Sequence, residues 1–348
     1  MIEYYIWLKE CFDIPEKYKR ELIQFFGNPK NVYEASILDY PDKFRSNKKW
    51  MDSINKKSLV SALNVLEENQ KRKIKTMTID DSIYRAEVST NENLPILLFY
   101  KGSLENPMRR VVSVIGSRKS TEYGKVVAKT ICEEYVEKNM VIASGLAAGI
   151  DSIVHQSVLD LNGTTYAFTV CGLDSCYPSA NEPLMKAIEE RGAIISAYPL
   201  GVPPRRYHFV QRNELMTLWS DEIVVVEAAA VSGSVKTAEF ALKNNLRVFS
   251  VPNNIFALSS EGCNDLLDKG AIPYRCGKQS SRKHNNQRVS TARKNLILEM
   301  IKVKPLSIQE LSEKSRYSIE RIQNELIVME LNNLVQFKQD GKWHYISY

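Results

Sequence analysis

The 348-residue chain contains no run of 18 apolar residues, and its first nine, Met1-Ile-Glu-Tyr-Tyr-Ile-Trp-Leu-Lys9, set an acid inside an apolar patch. A membrane span and a secretory leader are therefore both unexpected. Only four histidines occur, and none is spaced with a partner as metal ligands are. The six cysteines, Cys11, Cys132, Cys171, Cys176, Cys263 and Cys276, include no CxxC pair. This disfavours a metal site and points to reduced thiols in a cytoplasmic protein. No GxGxxG stands in a strand–turn–helix context, which disfavours a dinucleotide, and no GxxxxGK[ST] is present, which disfavours a P-loop nucleotidase. Neither a metal nor an organic cofactor is expected.

What is present is an ordinary globular composition, 44% hydrophobic and 25% charged, at a length suggesting two or three domains. The net charge of +6 permits a polyanionic partner without demanding one. Part of it is concentrated: Lys278, Arg282, Lys283, Arg288, Arg293 and Lys294 follow one another with no acid between them.

Three apolar β-branched runs each end in a Gly/Ser turn followed by a helical pattern. Val111–Ile115 runs into Gly116-Ser117-Arg118; Met140–Ala143 into Ser144-Gly145-Leu-Ala-Ala-Gly149-Ile-Asp151; Ile223–Glu227 leads to Ser232-Gly233-Ser234. In an open parallel sheet such turns share one edge, where helix N-termini offer unpaired N–H groups to an anion. A crevice suited to phosphate is expected there.

Further strand candidates at 165–170, 193–196 and 246–251 alternate with amphipathic stretches. The fold class expected is α/β, a Rossmann-like doubly wound, mostly parallel sheet, with a helical N-terminal domain and a C-terminal winged helix. The boundaries are 1–75 for the helical domain, 76–275 for the core, 276–290 for a basic linker and 291–348 for the winged helix. In the last, 291–301, 307–314 and 318–331 read as helices, Ser307 and Glu310 as a capping box, and Asp340-Gly341 as the turn of a hairpin.

Each motif has a plain alternative. Gly116-Ser117-Arg118 supplies a close backbone approach, a hydroxyl and a guanidinium fork for phosphate, or is a tight turn with a solvated arginine. Asp151 and His155 lie one helical turn apart; with Ser144 they invite a nucleophilic triad, but no strained elbow supports one. An Asp–His hydrogen bond fixing the helix start is the structural alternative. Ser232, Gly233, Ser234 and Thr237 offer hydroxyls and N–H groups at a helix start, with Lys236 adding charge, or form a simple loop. Arg205-Arg206-Tyr207-His208-Phe209, followed by Arg212-Asn213, alternates cations and rings as a single strand requires, or is a solvated loop with its rings packed inward.

Together these blocks resemble the DprA/Smf family of DNA-processing proteins. The resemblance rests on Val114–Arg118 with Thr121 and Tyr123-Gly124; Ser144–Ala147, Gly149-Ile-Asp151 and His155; and Gly172-Leu-Asp174, Tyr177-Pro178 and Asn181. It continues through Ser196, Tyr198-Pro199, Phe209 and Arg212-Asn213, then Val226–Ala228, Ser232–Ser234, Thr237-Ala238, Val251-Pro252 and Gly262 to Ala271. It implies a non-catalytic protein that binds single-stranded DNA, usually as a homodimer, protects incoming strands and loads a RecA-type recombinase during transformation. It also implies that Arg118, Arg212 and the Gly/Ser turns face phosphates. The chain departs from the pattern at Ser179 (usually Lys), Glu214 (usually Arg), Ala197 (usually Glu), Val170 and Asn253 (usually Gly) and Val210 (usually Pro). Losing two cations bears directly on phosphate affinity.

Two other readings stay open. Ser232 to Glu239 is similar to the phosphate loop and acid of lysine-decarboxylase-like nucleotide phosphoribohydrolases, with Glu239 as the catalytic acid on a nucleoside monophosphate. Alternatively the winged helix acts as an interaction module; its candidate recognition helix, carrying Glu320, Glu325 and Glu330 against Arg321, suits a DNA major groove poorly.

Overall fold

The computed structural model describes residues 1–85, 88, 91–104, 109–276, 298, 300–315, 319, 322–323, 326, 329–330, 334–338 and 340–346. The chain divides into two compact units, Met1–Cys276 and Gly277–Tyr348.

The first unit opens with short helices: α1 (Ile2–Glu10), α2 (Glu16–Phe26), α3 (Pro29–Glu34), α4 (Asp42–Arg45), α5 (Lys48–Asn55) and α6 (Val60–Lys71). Strands β1 (Lys75–Thr78) and β2 (Leu97–Gly102) follow. Then strand and helix alternate: β3 (Val111–Ile115), α7 (Glu122–Glu137), β4 (Val141–Ser144), α8 (Ile150–Asp160), β5 (Thr165–Thr169), α9 (Glu182–Arg191) and β6 (Ala193–Ser196). The run closes with α10 (Arg206–Leu218), β7 (Glu222–Val225), α11 (Gly233–Lys243), β8 (Arg247–Ser250), α12 (Glu261–Asp268) and β9 (Ile272–Pro273).

One nine-stranded sheet results, in the order β1-β2-β6-β5-β4-β3-β7-β8-β9. The seven strands from β6 to β9 are parallel, while β2 pairs antiparallel with both β1 and β6. Strands β3 to β7 are buried along their whole length, so both faces favour apolar side chains and the strands read as largely apolar runs. The chain enters at β3, winds outward through β4, β5 and β6, then returns to the other side of β3 with β7. The switch point of a doubly wound sheet therefore lies between the C-terminal ends of β3 and β7.

The N-terminal helices share a core with the antiparallel edge: Tyr5, Ile6, Leu8 and Phe44 pack in one cluster with Ile96, Leu97 and Ile194. A buried charged seam reinforces the contact. The Ile96 N–H donates to Glu16 at 2.9 Å, Lys19 donates to the same carboxylate at 3.2 Å, and Arg20 donates to the Leu94 carbonyl at 2.9 Å. Residues 1–75 are thus one packed body with the sheet. No helix among the described residues is long and apolar enough to cross a membrane.

In the second unit, helix α13 (Ile308–Ser315) is capped reciprocally by Ser307 and Glu310, as the capping box requires. Strands β10 (Val335–Phe337) and β11 (Trp343–Tyr345) form an antiparallel hairpin, with Gly341 at φ +75° in the turn. Leu306, Leu311, Val335 and Trp343 belong to its core. The basic linker beyond Cys276 and most of the 318–331 helix fall outside the described residues.

Candidate functional site

The turns after β3 and β7 and the side of α10 enclose a cleft of about 250 Å3 at the switch point. Its lining includes Gly116, Ser117 and Arg118 from the first turn, Asp151 from α8, Phe209, Arg212 and Asn213 from α10, and Ser232, Gly233, Ser234 and Thr237 at the start of α11. Four segments far apart in sequence meet here because parallel strands all point their C-terminal ends one way.

Three of the four hydroxyls expected to donate to a ligand, those of Ser117, Ser234 and Thr237, donate within the protein instead. Ser117 donates to the Lys119 carbonyl at 3.0 Å and accepts from the Lys119 N–H at 3.1 Å, closing its own turn. Ser232 caps α11 by accepting from the Val235 N–H at 3.2 Å. Ser234 donates to the Gly116 carbonyl at 2.9 Å, tying α11 to the turn after β3. Thr237 donates to the Gly233 carbonyl at 2.8 Å and accepts from Asn213 at 2.8 Å, which locks α10 to α11. The Ser232 hydroxyl proton and main-chain donors are what remain. The N–H groups of Gly233 and Ser234, in the first turn of α11, have no partner among the described residues. A Cβ built at Gly233 would meet nothing within 4 Å, so the fold itself has no need of a glycine there.

The turn after β4 behaves differently. Ser144, Gly145 and Gly149 do not line the cleft. The Ser144 hydroxyl is fully buried and donates to the Val114 carbonyl at 2.7 Å, stitching β4 to β3; its expected phosphate role is withdrawn, and so is any triad. A Cβ on Gly145 would collide with the Arg212 guanidinium and stand 2.8 Å from Asp151 Oδ2. Gly149 sits at φ +83°, where a Cβ would strike the Ser117 and Arg118 carbonyls. Leu146 also has positive φ, at +55°, and is held there by burial and by Asn181, whose amide donates to its carbonyl at 2.9 Å.

Arg212 forms the cleft's floor. Only 5% exposed, it donates through Nη1 to the Gly145 and Phe168 carbonyls, and its buried Nε has no partner. Burial lowers its pKa, against the opposing pull of Asp151. Burial likewise raises the Asp151 carboxyl, with Arg212 drawing it back. The expected Asp151–His155 bond is absent. Thr165 donates to the Ile142 carbonyl at 2.7 Å, so the His155 Nδ1–H donates to Thr165 at 2.7 Å and the buried Nε2 is left bare. Burial pushes His155 down to about 3. Each residue bonds instead to other partners, Asp151 to the Ala147 N–H and His155 to Thr165.

Arg118 is exposed and lies over the Phe209 ring, 5.0 Å from its centroid. Arg205 and Arg206 are exposed at the start of α10 but do not line the cleft; Arg205 reaches the Tyr207 hydroxyl at 3.4 Å. Ser179 is exposed, while Glu214 is half-buried, its pKa raised by burial. Glu239 lies outside the lining, paired with Lys269 at 2.7 Å, which takes the acid away from the phosphoribohydrolase-like reading. Two participants were quoted in the resemblance but given no role. Glu227, fully buried, accepts from the Thr121 N–H at 2.9 Å and so places α7. Tyr177 packs on Phe209 at the rim; its place directly before Pro178 in a shared block was the available signal.

Fold and cleft define a class: a doubly wound α/β protein whose switch-point crevice offers main-chain donors and guanidinium groups to an anion. The chain belongs to the DNA recombination-mediator protein A family, whose profile matches residues 75–284. It is 32% identical over 257 residues to the Smf protein of Synechocystis, covering 72% of this chain and 65% of that one. It is 37% identical over 201 residues to the DNA processing protein DprA of Streptococcus pneumoniae, covering 58% and 71%. With Escherichia coli Smf it shares 35% identity, over 58% of that protein, so the chain spans about three-fifths of these two Smf relatives. Among solved structures, S. pneumoniae DprA superposes with a TM-score of 0.58 at 28% identity, covering 75% of this chain and 95% of that one. DNA processing protein A from Helicobacter pylori, described in its single-stranded DNA binding mode, gives 0.51 at 28% identity over 57% and 89%.

Proposed function

We propose that this protein binds single-stranded DNA in the switch-point cleft, without catalysing a reaction on it, and delivers the strand to a RecA-type recombinase during transformation. The observation that carries the reading is the pair of unpartnered N–H groups at Gly233 and Ser234, opening into a cleft that also holds Arg118 and Arg212. A phosphate entering there meets a helix N-terminus and two guanidinium groups, while the missing Cβ of Gly233 leaves room for close approach. The single-strand description of the H. pylori relative supports the same reading. The absence of catalysis is supported by the fate of the candidate groups: Ser144 is buried and bonded, His155 is held neutral, and Glu239 is paired away from the cleft. A cytoplasmic location and a homodimer complete the proposal.

Fluorescence-anisotropy titrations with single-stranded and duplex oligonucleotides at two salt concentrations test it. Single strands bind more tightly, and log affinity falls linearly with log salt. Arg118→Ala lowers that slope by about 0.7, the contribution of one phosphate contact on a single strand. Equal affinity for duplex, or an unchanged slope in the variant, overturns the assignment.

A further inference from the structure

One exposed ring beside the cleft is held in place by the site and used by nothing else in the fold. Tyr177 is 42% exposed, and its hydroxyl has no hydrogen-bond partner among the described residues. It meets Phe209 edge-on, with centroids 5.6 Å apart and planes at 78°. Phe209 in turn carries the Arg118 guanidinium over its face. Cation, ring and ring thus follow one another from the cleft outward. Phe209 is already engaged by both neighbours; Tyr177 is engaged by one.

The segment carrying this ring is rigidly anchored. Cys176 Sγ donates to the Pro178 carbonyl at 3.3 Å, and the Asn181 N–H donates to the same carbonyl at 3.0 Å. The Asn181 amide ties the segment to the turn after β4, through Leu146 and through the Ser152 hydroxyl at 2.9 Å. A ring whose backbone is fixed in advance loses little freedom when a ligand settles on it. Two residues on, Ser179 is exposed and uncharged, so the exposed ring is the contact this stretch of rim presents.

Resting on the single-strand reading above, we propose that Tyr177 is a base-stacking platform, taking one unpaired nucleobase from the strand whose phosphate lies in the cleft. Every base has a π-face, so the contact is indifferent to sequence; in a duplex that face is covered by the neighbouring pair, so the contact selects for single strands.

The test titrates the full chain with labelled oligothymidylate and with an abasic strand of equal length. Wild type binds the thymidylate about 10-fold more tightly than the abasic strand, the scale of one base–aromatic stack. Tyr177→Ala brings thymidylate affinity down to the abasic level and leaves abasic binding and the salt slope alone, whereas Tyr177→Phe keeps the preference. Tyr177→Leu, which preserves apolar packing on Phe209, serves if the alanine variant unfolds. Equal binding of both strands by wild type overturns the platform alone, as does a Tyr177→Ala or Tyr177→Leu variant that retains the preference or loses affinity for both strands alike. Failure of wild type to bind either strand overturns the single-strand reading itself.

Discussion

Two turns lie at the same edge of the sheet, and they have opposite uses. The turn after β4, Ser144 to Asp151, is dense with small residues, yet nearly every one answers to another part of the protein: Ser144 to Val114, Gly145 to Arg212, Gly149 to the Ser117–Arg118 backbone. The turn after β7 has a plainer sequence, yet it leaves two N–H groups and an open Cβ position facing the cleft. Density of glycine and serine therefore measures how tightly a turn is crowded. Whether the crowding comes from the protein or from a ligand is decided by what already fills the space.

The difference is greatest at Arg212, the group that Gly145 makes room for. Arg212→Leu removes the donor from two buried carbonyls and takes away the charge that offsets the burial of Asp151. Chemical denaturation is expected to register a loss of about 3–5 kcal/mol. A variant as stable as wild type would mean that the turn after β4 does not depend on its interior contacts. Gly145→Ala follows, because the added methyl displaces a guanidinium pinned between the Gly145 and Phe168 carbonyls. Overpacking of this kind costs about 1–3 kcal/mol, and the same measurement checks it.

His155 provides a pH test of the same interior. Its folded-state pKa of about 3 lies below the ordinary 6.5, so the unfolded chain binds a proton between those values and the folded chain does not. Its linkage therefore favours the folded state above pH 6.5 and weakens as pH falls through that value toward 3. Between pH 7.5 and pH 6 the loss amounts to about 0.8 kcal/mol. Asp151 works in the opposite sense at lower pH, since its raised pKa makes the folded chain the better proton binder above 3.8. Comparing wild type with His155→Gln isolates the histidine: the variant should lose less stability across that interval, and an identical loss would assign the dependence elsewhere.

The doubly wound order was readable because a strand buried on both faces is dominated by apolar residues, as Val111–Ile115 is at every position but Ser113 and Ile223–Val225 is throughout. The meeting of three turns at one edge followed from parallel pairing. Which way each polar group faces did not follow. Ser144 and Ser234 are the same residue type at comparable positions, yet one is buried against β3 and the other bridges two turns at the cleft. Arg212 reads as a surface cation by composition; its burial depends on the vacancy at Gly145, 67 residues away in sequence. Most side-chain hydroxyls satisfy themselves locally at turns, so the donors left for a ligand belong mainly to the backbone, where residue identity is silent.

Gly233→Ala carries the smallest expected change in stability and bears most directly on the contrast with Gly145. Both replace glycine by alanine at the head of a turn, but at Gly233 the protein leaves space and φ is not positive. Alanine in the first turn of α11 should leave stability unchanged or raise it by up to about 1 kcal/mol, since it restricts the unfolded chain. The new methyl group would, however, occupy the approach to the free N–H groups of residues 233 and 234. The expected pairing is a melting temperature no lower than wild type together with weaker single-strand binding in the anisotropy titration. If Gly233→Ala binds normally, the N-terminus of α11 is not where the phosphate lies, and the two turns do not differ in the way their geometry indicates.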